Sequence, residues 1–181
     1  MTASRPDIAF SVGVCSRFQS NPKVSHLNLV KRIIKYVGRT RDYGLFYSKE
    51  SNLSFAGFSD SDWAGNADDR KSTTGGCFYV GANLVAWMSK KQNYVSLSTV
   101  EVEYIVAGSC CSQLLWMKKL LNDYGISQDT MIIYCNNSSA INISKKHVQH
   151  SKTKHIEIRY HFIRDLVERK IVSLEYIPVE H

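Results

Sequence analysis

Residues 98–125, STVEVEYIVAGSCCSQLLWMKKLLNDYG, decide the fold. Val102, Val106, Cys110, Leu114, Met117 and Leu121 recur every three or four residues, the spacing of one helix face. Ser98 or Thr99 is placed to cap this helix, and Gly125 to close it. Upstream the period changes from helical to alternating. Leu53 to Asp60 alternates and ends on a carboxylate, a polar loop runs to Thr74, and Gly76–Val80 and Leu84–Met88 flank a Gly81-Ala82-Asn83 hairpin signal. Downstream, Thr130–Cys135 is a compact apolar strand and Ser138–Lys145 a short helix. Thr153–Arg169 is a longer helix with Ile156, Tyr160, Ile163 and Val167 on one side. Ile171–Ile177 is a last strand that Pro178 stops. The order β, β, β, α, β, α, α, β predicts an α/β domain with a five-stranded mixed sheet flanked by helices.

The first 50 residues differ in character. His26–Val37 carries apolar residues at Leu27, Val30, Ile33, Ile34 and Val37, with Lys31, Arg32 and Lys35 on the other side and Gly38 as its stop. Asp42-Tyr43-Gly44 predicts a turn before a short strand, Leu45-Phe46-Tyr47, and the polar stretch Ser48–Asn52 predicts a boundary. Two units follow from this, residues 1–50 and 51–181.

The chain has 181 residues, 44% of them hydrophobic, which suits an ordinary core. No apolar run approaches the ~18 to 20 residues that cross a bilayer, and the N-terminus lacks a signal peptide's apolar stretch, so an intracellular setting is expected. Five cysteines, with no C-x-x-C pair, do not make a full disulfide framework. Cys110 and Cys111 are expected to be packed helix residues. The net charge of +7 is uneven: basic in residues 1–50 and 140–181, slightly acidic between. An acidic centre between basic flanks suits a cation site beside a polyanion.

Three acids and one amide sit where elements end, the usual place for an α/β site. Asp60 ends the first strand, Glu103 lies in the first turns of the long helix, and Glu157 lies near the start of the penultimate element. Asn136 follows the Thr130–Cys135 strand. Asp60 and Asp62, two apart on a strand, share a side. Glu101 and Glu103, two apart on a helix, are about 200° apart, so one of them joins a shared site. Glu103 flanks the core stripe and is the candidate.

Gly57-Phe58-Ser59-Asp60-Ser61-Asp62-Trp63-Ala64-Gly65 resembles the opening of the ribonuclease H domain of copia-type retrotransposon polyproteins. So do Asp69-Arg70-Lys71-Ser72-Thr73-Thr74-Gly75, Trp87-Met88-Ser89-Lys90-Lys91-Gln92 and Ser98-Thr99-Val100-Glu101-Val102-Glu103-Tyr104. Cys135-Asn136-Asn137-Ser138-Ser139-Ala140-Ile141 and residues 153–164, TKHIEIRYHFIR, follow in family order. Arg5-Pro6-Asp7-Ile8, Ser16-Arg17-Phe18 and His26–Tyr36 are similar to the tail of the adjoining reverse-transcriptase segment, without the polymerase's own catalytic motifs.

The resemblance implies a ribonuclease H-like fold, cleavage of the RNA strand of an RNA–DNA hybrid, and two Mg²⁺ ions, with Mn²⁺ as a substitute. It implies Asp60 as the first carboxylate, Glu103 as the second beside the ribose 2′-OH, position 136 as the third and Glu157 as the fourth, with Asp165 a weaker choice. His150 is implied as a residue that helps product leave. Asn136 departs from the family's Cys-Asp-Asn: an amide oxygen coordinates but brings no charge. Weak metal occupancy and slow cleavage are expected, from decay of a transposon copy or a deliberate substitution.

Lys90, Lys91, Lys145, Lys146, Lys152 and Lys154 are candidate phosphate contacts. The expected partners are the hybrid and the rest of the polyprotein, its reverse transcriptase included, with no membrane. His147, His150, His155 and His161 match no common zinc spacing. Trp63, Trp87 and Trp116 are expected in the core. Two other readings compete. One is an inactive hybrid-binding module or remnant. The other is an integrase-like enzyme, against which the Thr153–Arg164 motif and the strand after it argue.

Overall fold

The computed structural model describes residues 2–49, 52–145 and 157–178, with residues 157–160 described by their backbone alone. Five strands form one mixed sheet: β1 (Phe55–Asp62), β2 (Thr73–Val80), β3 (Asn83–Lys91), β4 (Met131–Cys135) and β5 (Val172–Tyr176). Their order is β3-β2-β1-β4-β5. β1 pairs antiparallel with β2 and parallel with β4, and β5 lies parallel to β4. The switch of sense at β1 follows from the connections: a two-residue hairpin joins β2 to β3, whereas β4 arrives after a long helix. The fold class is the one that the order of elements predicts.

Alternation along β1 sorts its side chains between two faces. Phe55, Gly57 and Ser59 are buried beneath α3 (Thr99–Asp123), while Phe58, Asp60 and Asp62 line a groove on the other face. Gly57 is where the helix comes closest: a Cβ there would stand 3.3 Å from Leu114 Cδ1 and 3.5 Å from Phe78 Cδ1. The stripe read from the sequence is the buried one. Val102, Val106, Cys110 and Leu114 are fully covered, and Met117 nearly so. Cys111 is buried beside Cys110. Burial pushes the Cys111 thiol up to about 12 and the Cys110 thiol higher still, so neither is a ready nucleophile. α4 (Ser138–Lys145) and α5 (Glu157–Glu168) pack on the same side of the sheet as α3.

The start of α3 is fixed by two reciprocal bonds. Ser98 Oγ accepts from Glu101 N at 3.2 Å, and Glu101 Oε2 accepts from Leu97 N at 2.7 Å. This is a capping box displaced by one residue on its return arm. It consumes Glu101 and leaves Glu103, about 200° further round, for the other side. Ser98→Ala should cost about 1 kcal/mol in urea unfolding. A loss that urea unfolding cannot detect would show that the cap does not hold this helix.

The N-terminal residues contain one helix that periodicity did not reveal, α1 (Ala9–Ser16), and one that it did, α2 (Val24–Arg39). α1 has Gly13 in its middle and apolar residues on every side, so it carries no helical period. Gly38 lies inside α2, which ends one residue later at Arg39. The predicted strand Leu45-Phe46-Tyr47 is irregular chain: it meets no partner strand, and Phe46 is 88% exposed. α1 packs on β3. Side-chain bonds tie the N-terminal residues to the sheet: Trp87 Nε1 donates to Thr2 O (3.0 Å), and Asn83 bonds both N and O of Ser48 (2.7 and 3.0 Å). Arg17 reaches Thr73 Oγ1 at 3.3 Å. Among the described residues no helix is long and apolar enough to cross a membrane.

Candidate active site

β1 and β4 lie side by side and run the same way, so their C-terminal ends share one edge of the domain. Asp60 stands on one and Asn136 just past the other. Asn136 Nδ2 donates to Asp60 Oδ1 at 3.2 Å. Glu103 approaches from the helix side. Its Oε1 accepts from Ser61 Oγ at 2.7 Å and from Ser61 N at 3.2 Å, and its Oε2 lies 4.0 Å from Cys135 Sγ. The chain neighbours of Asp60 and Asn136 thus hold Glu103. Asp60 and Asn136 are therefore in contact, and Glu103 is tied to the strand residue that follows Asp60. Asn137 is not a second copy of Asn136: its Oδ1 accepts from Ala140 N at 3.0 Å and caps α4.

Glu103 is 5% exposed. Burial raises its pKa above the ordinary glutamate value, the bond from Ser61 opposes this, and the negative charge of Asp60 adds to the rise. A carboxyl whose pKa is raised by folding favours the native state while protonated. That contribution is full below glutamate's ordinary pKa and is lost as pH climbs through the raised value. Glu103→Gln keeps the neutral form at every pH. Urea unfolding should find the two proteins similar in acid and the variant more stable near neutral pH; parallel pH profiles would refute the shift.

Asp62 lies on the groove side, as its spacing from Asp60 predicts, but its Oδ1 accepts from Thr73 N, which commits it to the β1–β2 ladder. The two neighbouring lysines of β3 separate. Lys91 is opposite Thr73, on the Asp62 side, and its Nζ meets Asp69 Oδ2 at 2.6 Å. Lys90, opposite Thr74, belongs to the other face. Lys145 ends α4 and is exposed. Asp165 pairs with Arg169 at 3.2 Å on an exposed stretch of α5. Lys146, Lys152, Lys154, His147, His150 and His155 lie outside the described residues, as does the Glu157 side chain.

Two tryptophans expected in the core are exposed, Trp63 by 54% and Trp116 by 59%. Trp63 stands on the loop after β1, where its Nε1 donates to Ser96 O at 3.3 Å. Trp116 falls between the inward positions Leu114 and Met117, so it points away from the sheet. Trp87 is half-buried and, with Phe58, Cys77 and Tyr134, walls a groove of about 650 Å³ that reaches Asp60 and Asn136. Phe58 and Tyr134, opposite each other on β1 and β4, are stacked with centroids 4.9 Å apart. The groove, Ser61 and Cys135 were missed in the sequence. The neighbour-of-a-site rule for strands would have indicated the two residues.

Asp60, Glu103 and the amide oxygen of Asn136 are hard donors of the kind that Mg²⁺ takes. Among the described residues no group of three or more His, Cys, Asp or Glu comes together as a metal site. Two carboxylates bring at most two negative charges, burial works against one of them, and the Asn136 amide occupies an oxygen of the other. Among the described side chains the set suits one dication; a close pair needs more charge, and the Glu157 side chain lies outside the described residues.

No family model matches the chain. It is 43% identical, over 93% of its length, to the retrovirus-related Pol polyprotein from transposon TNT 1-94 of Nicotiana tabacum, and spans 13% of that protein. In structure it is similar to a ribonuclease H1 isolated from compost by a metagenomic approach, with TM-score 0.53 and 14% identity, covering 70% of this chain and 85% of that one. A foamy viral protease–reverse transcriptase solved with double-stranded DNA matches at TM-score 0.60 and 13% identity, covering 88% of this chain and 25% of that one. With its motifs in order on a ribonuclease H fold, the chain belongs to the copia-type retrotransposon Pol polyprotein family, as a segment of that fold that makes up about an eighth of such a polyprotein's length.

Proposed function

We propose that the chain binds RNA–DNA hybrid and belongs to an enzyme that hydrolyses the hybrid's RNA strand during reverse transcription, with catalysis impaired in this copy by Asn136. The observation that supports this reading is the bond between Asn136 and Asp60 at the shared end of β1 and β4, with Glu103 held by Ser61 next to it in the chain. Asp60 touches Asn136, and Glu103 is bonded to the residue that follows Asp60, on a fold shared with a ribonuclease H1. In this reading Asp60, Glu103 and the Asn136 amide oxygen would hold Mg²⁺, or Mn²⁺ in its place, which would supply an activated water and offset charge on the leaving oxygen. Asp60 and Glu103 would face the scissile phosphate only across that ion, and Glu103 would lie near the 2′-OH that distinguishes RNA from DNA.

Residues 51–181 form the nuclease unit in this proposal, and residues 1–50 end the reverse-transcriptase segment. Lys90, Lys91 and Lys145, with Lys146, Lys152 and Lys154 outside the described residues, contact phosphates. Glu157 supplies the fourth ligand, and His150 assists product release. α5 carries Glu157 on the helix-covered side of the sheet, so this fourth assignment rests on motif alone.

A second reading, hybrid binding without cleavage, is favoured by the neutral amide at position 136, which stands against Asp60 and adds no charge for a cation. Both readings predict salt-sensitive binding of a labelled hybrid, measured by fluorescence anisotropy. Cleavage of that hybrid with Mg²⁺ and with Mn²⁺, by the chain and by Asn136→Asp, separates them. A chain that binds hybrid no better than single-stranded RNA would overturn both.

A further inference from the structure

We propose that Ser61 is a positioning residue, which ties the Glu103 carboxylate to β1 at the residue next to Asp60 and so sets the geometry in which the two acids meet a cation. The inference rests on reading Asp60, Glu103 and position 136 as one site. Ser61 offers two donors to a single oxygen of Glu103, the hydroxyl at 2.7 Å and the backbone N–H at 3.2 Å. Both bonds fall on Oε1. Oε2 faces the buried Cys135, a weak donor at 4.0 Å, and carries no bond from Ser61.

The arrangement follows from strand geometry. Asp60 and Ser61 are consecutive, so they point to opposite faces of β1. Asp60 looks into the groove, while Ser61 looks toward α3 and meets Glu103 there. The serine thereby ties the helix-borne acid to the strand that bears the other one. A glutamate side chain has three rotatable bonds, and without the hydroxyl its carboxylate is held by one backbone donor. Outer-shell partners of this kind are commonly worth 10- to 100-fold in metal affinity or activity.

The test has a metal-free arm and a metal arm. In the chain as it stands, three-bond couplings of the Glu103 side chain should report one rotamer. Ser61→Ala should show rotamer averaging, and Ser61→Thr, which keeps the hydroxyl, should restore one rotamer. In the Asn136→Asp background, Mn²⁺ affinity followed by electron paramagnetic resonance should fall about tenfold with Ser61→Ala and recover with Ser61→Thr. In the same series kcat should fall while KM for hybrid and the melting temperature hold. A single Glu103 rotamer in Ser61→Ala together with unchanged Mn²⁺ affinity would overturn the proposal. Equal losses in the Ala and Thr variants would overturn it too. If the couplings loosen as expected but Asn136→Asp neither binds Mn²⁺ nor cuts hybrid, the positioning role stands and the nuclease reading falls.

Discussion

Asn136→Asp is expected to raise Mg²⁺-dependent cleavage of a labelled RNA–DNA hybrid by about a thousandfold over the parent chain. A unit charge ~4 Å from a cation is worth roughly 4 kcal/mol at an effective dielectric near 20, which is about three powers of ten in rate if it is felt in the transition state. The substitution changes little else, because Asp and Asn are nearly the same shape. It also exchanges the Asn136–Asp60 hydrogen bond for two carboxylates 3.2 Å apart. Like charges that close destabilise the ion-free protein. The revertant should therefore melt below the parent without divalent ions and recover as Mg²⁺ is added, whereas the parent responds weakly. A revertant as inert as the parent, with a melting temperature indifferent to Mg²⁺, would remove the explanation for the defect.

The largest effect on stability is expected at Phe78. Its ring is 1% exposed, lies against Gly57 and stands in the layer between the sheet and α3. Phe78→Ala should cost about 3–5 kcal/mol, the usual range for emptying an aromatic core site. For a chain of this size that lowers the melting temperature by roughly 10 °C or more. Loss should appear equally in circular dichroism and tryptophan fluorescence if the sheet and α3 unfold together. A cost under about 1 kcal/mol would mean that the neighbours close the cavity and that this layer is not the keystone described.

Much of this architecture was legible because its periods are clean. The α3 stripe repeats without interruption from Val102 to Met117, and β1 alternates without a break. The choice of Glu103 over Glu101 was also legible, since 200° of helix separates them and Ser98 lies where it needs Glu101 as a cap. The strand edges were less clear. β3 continues to Lys91, three residues past the expected end, because Ser89, Lys90 and Lys91 still have partners in Gly75, Thr74 and Thr73; pairing of this kind has no trace in composition. Leu45-Phe46-Tyr47 failed for the opposite reason: its residues favour a strand, and no neighbour pairs with it. That Lys90 and Lys91 fall on opposite faces follows from the strand they share, which composition does not show. Asn136 was legible as a departure, but its bond to Asp60 is a fact of three dimensions.

The central place of β1 bears on how the chain matures. Its antiparallel neighbour β2 and the β3 strand paired to β2 are made soon after it, so a three-stranded piece can assemble while the ribosome is still extending the polypeptide. Its other edge waits for β4; 76 residues separate Asp60 from Asn136. Until then that flank offers unpaired backbone groups, the kind of edge that templates aggregation. Slow translation between these points should raise the insoluble fraction, and a chaperone that shields strand edges should lower it.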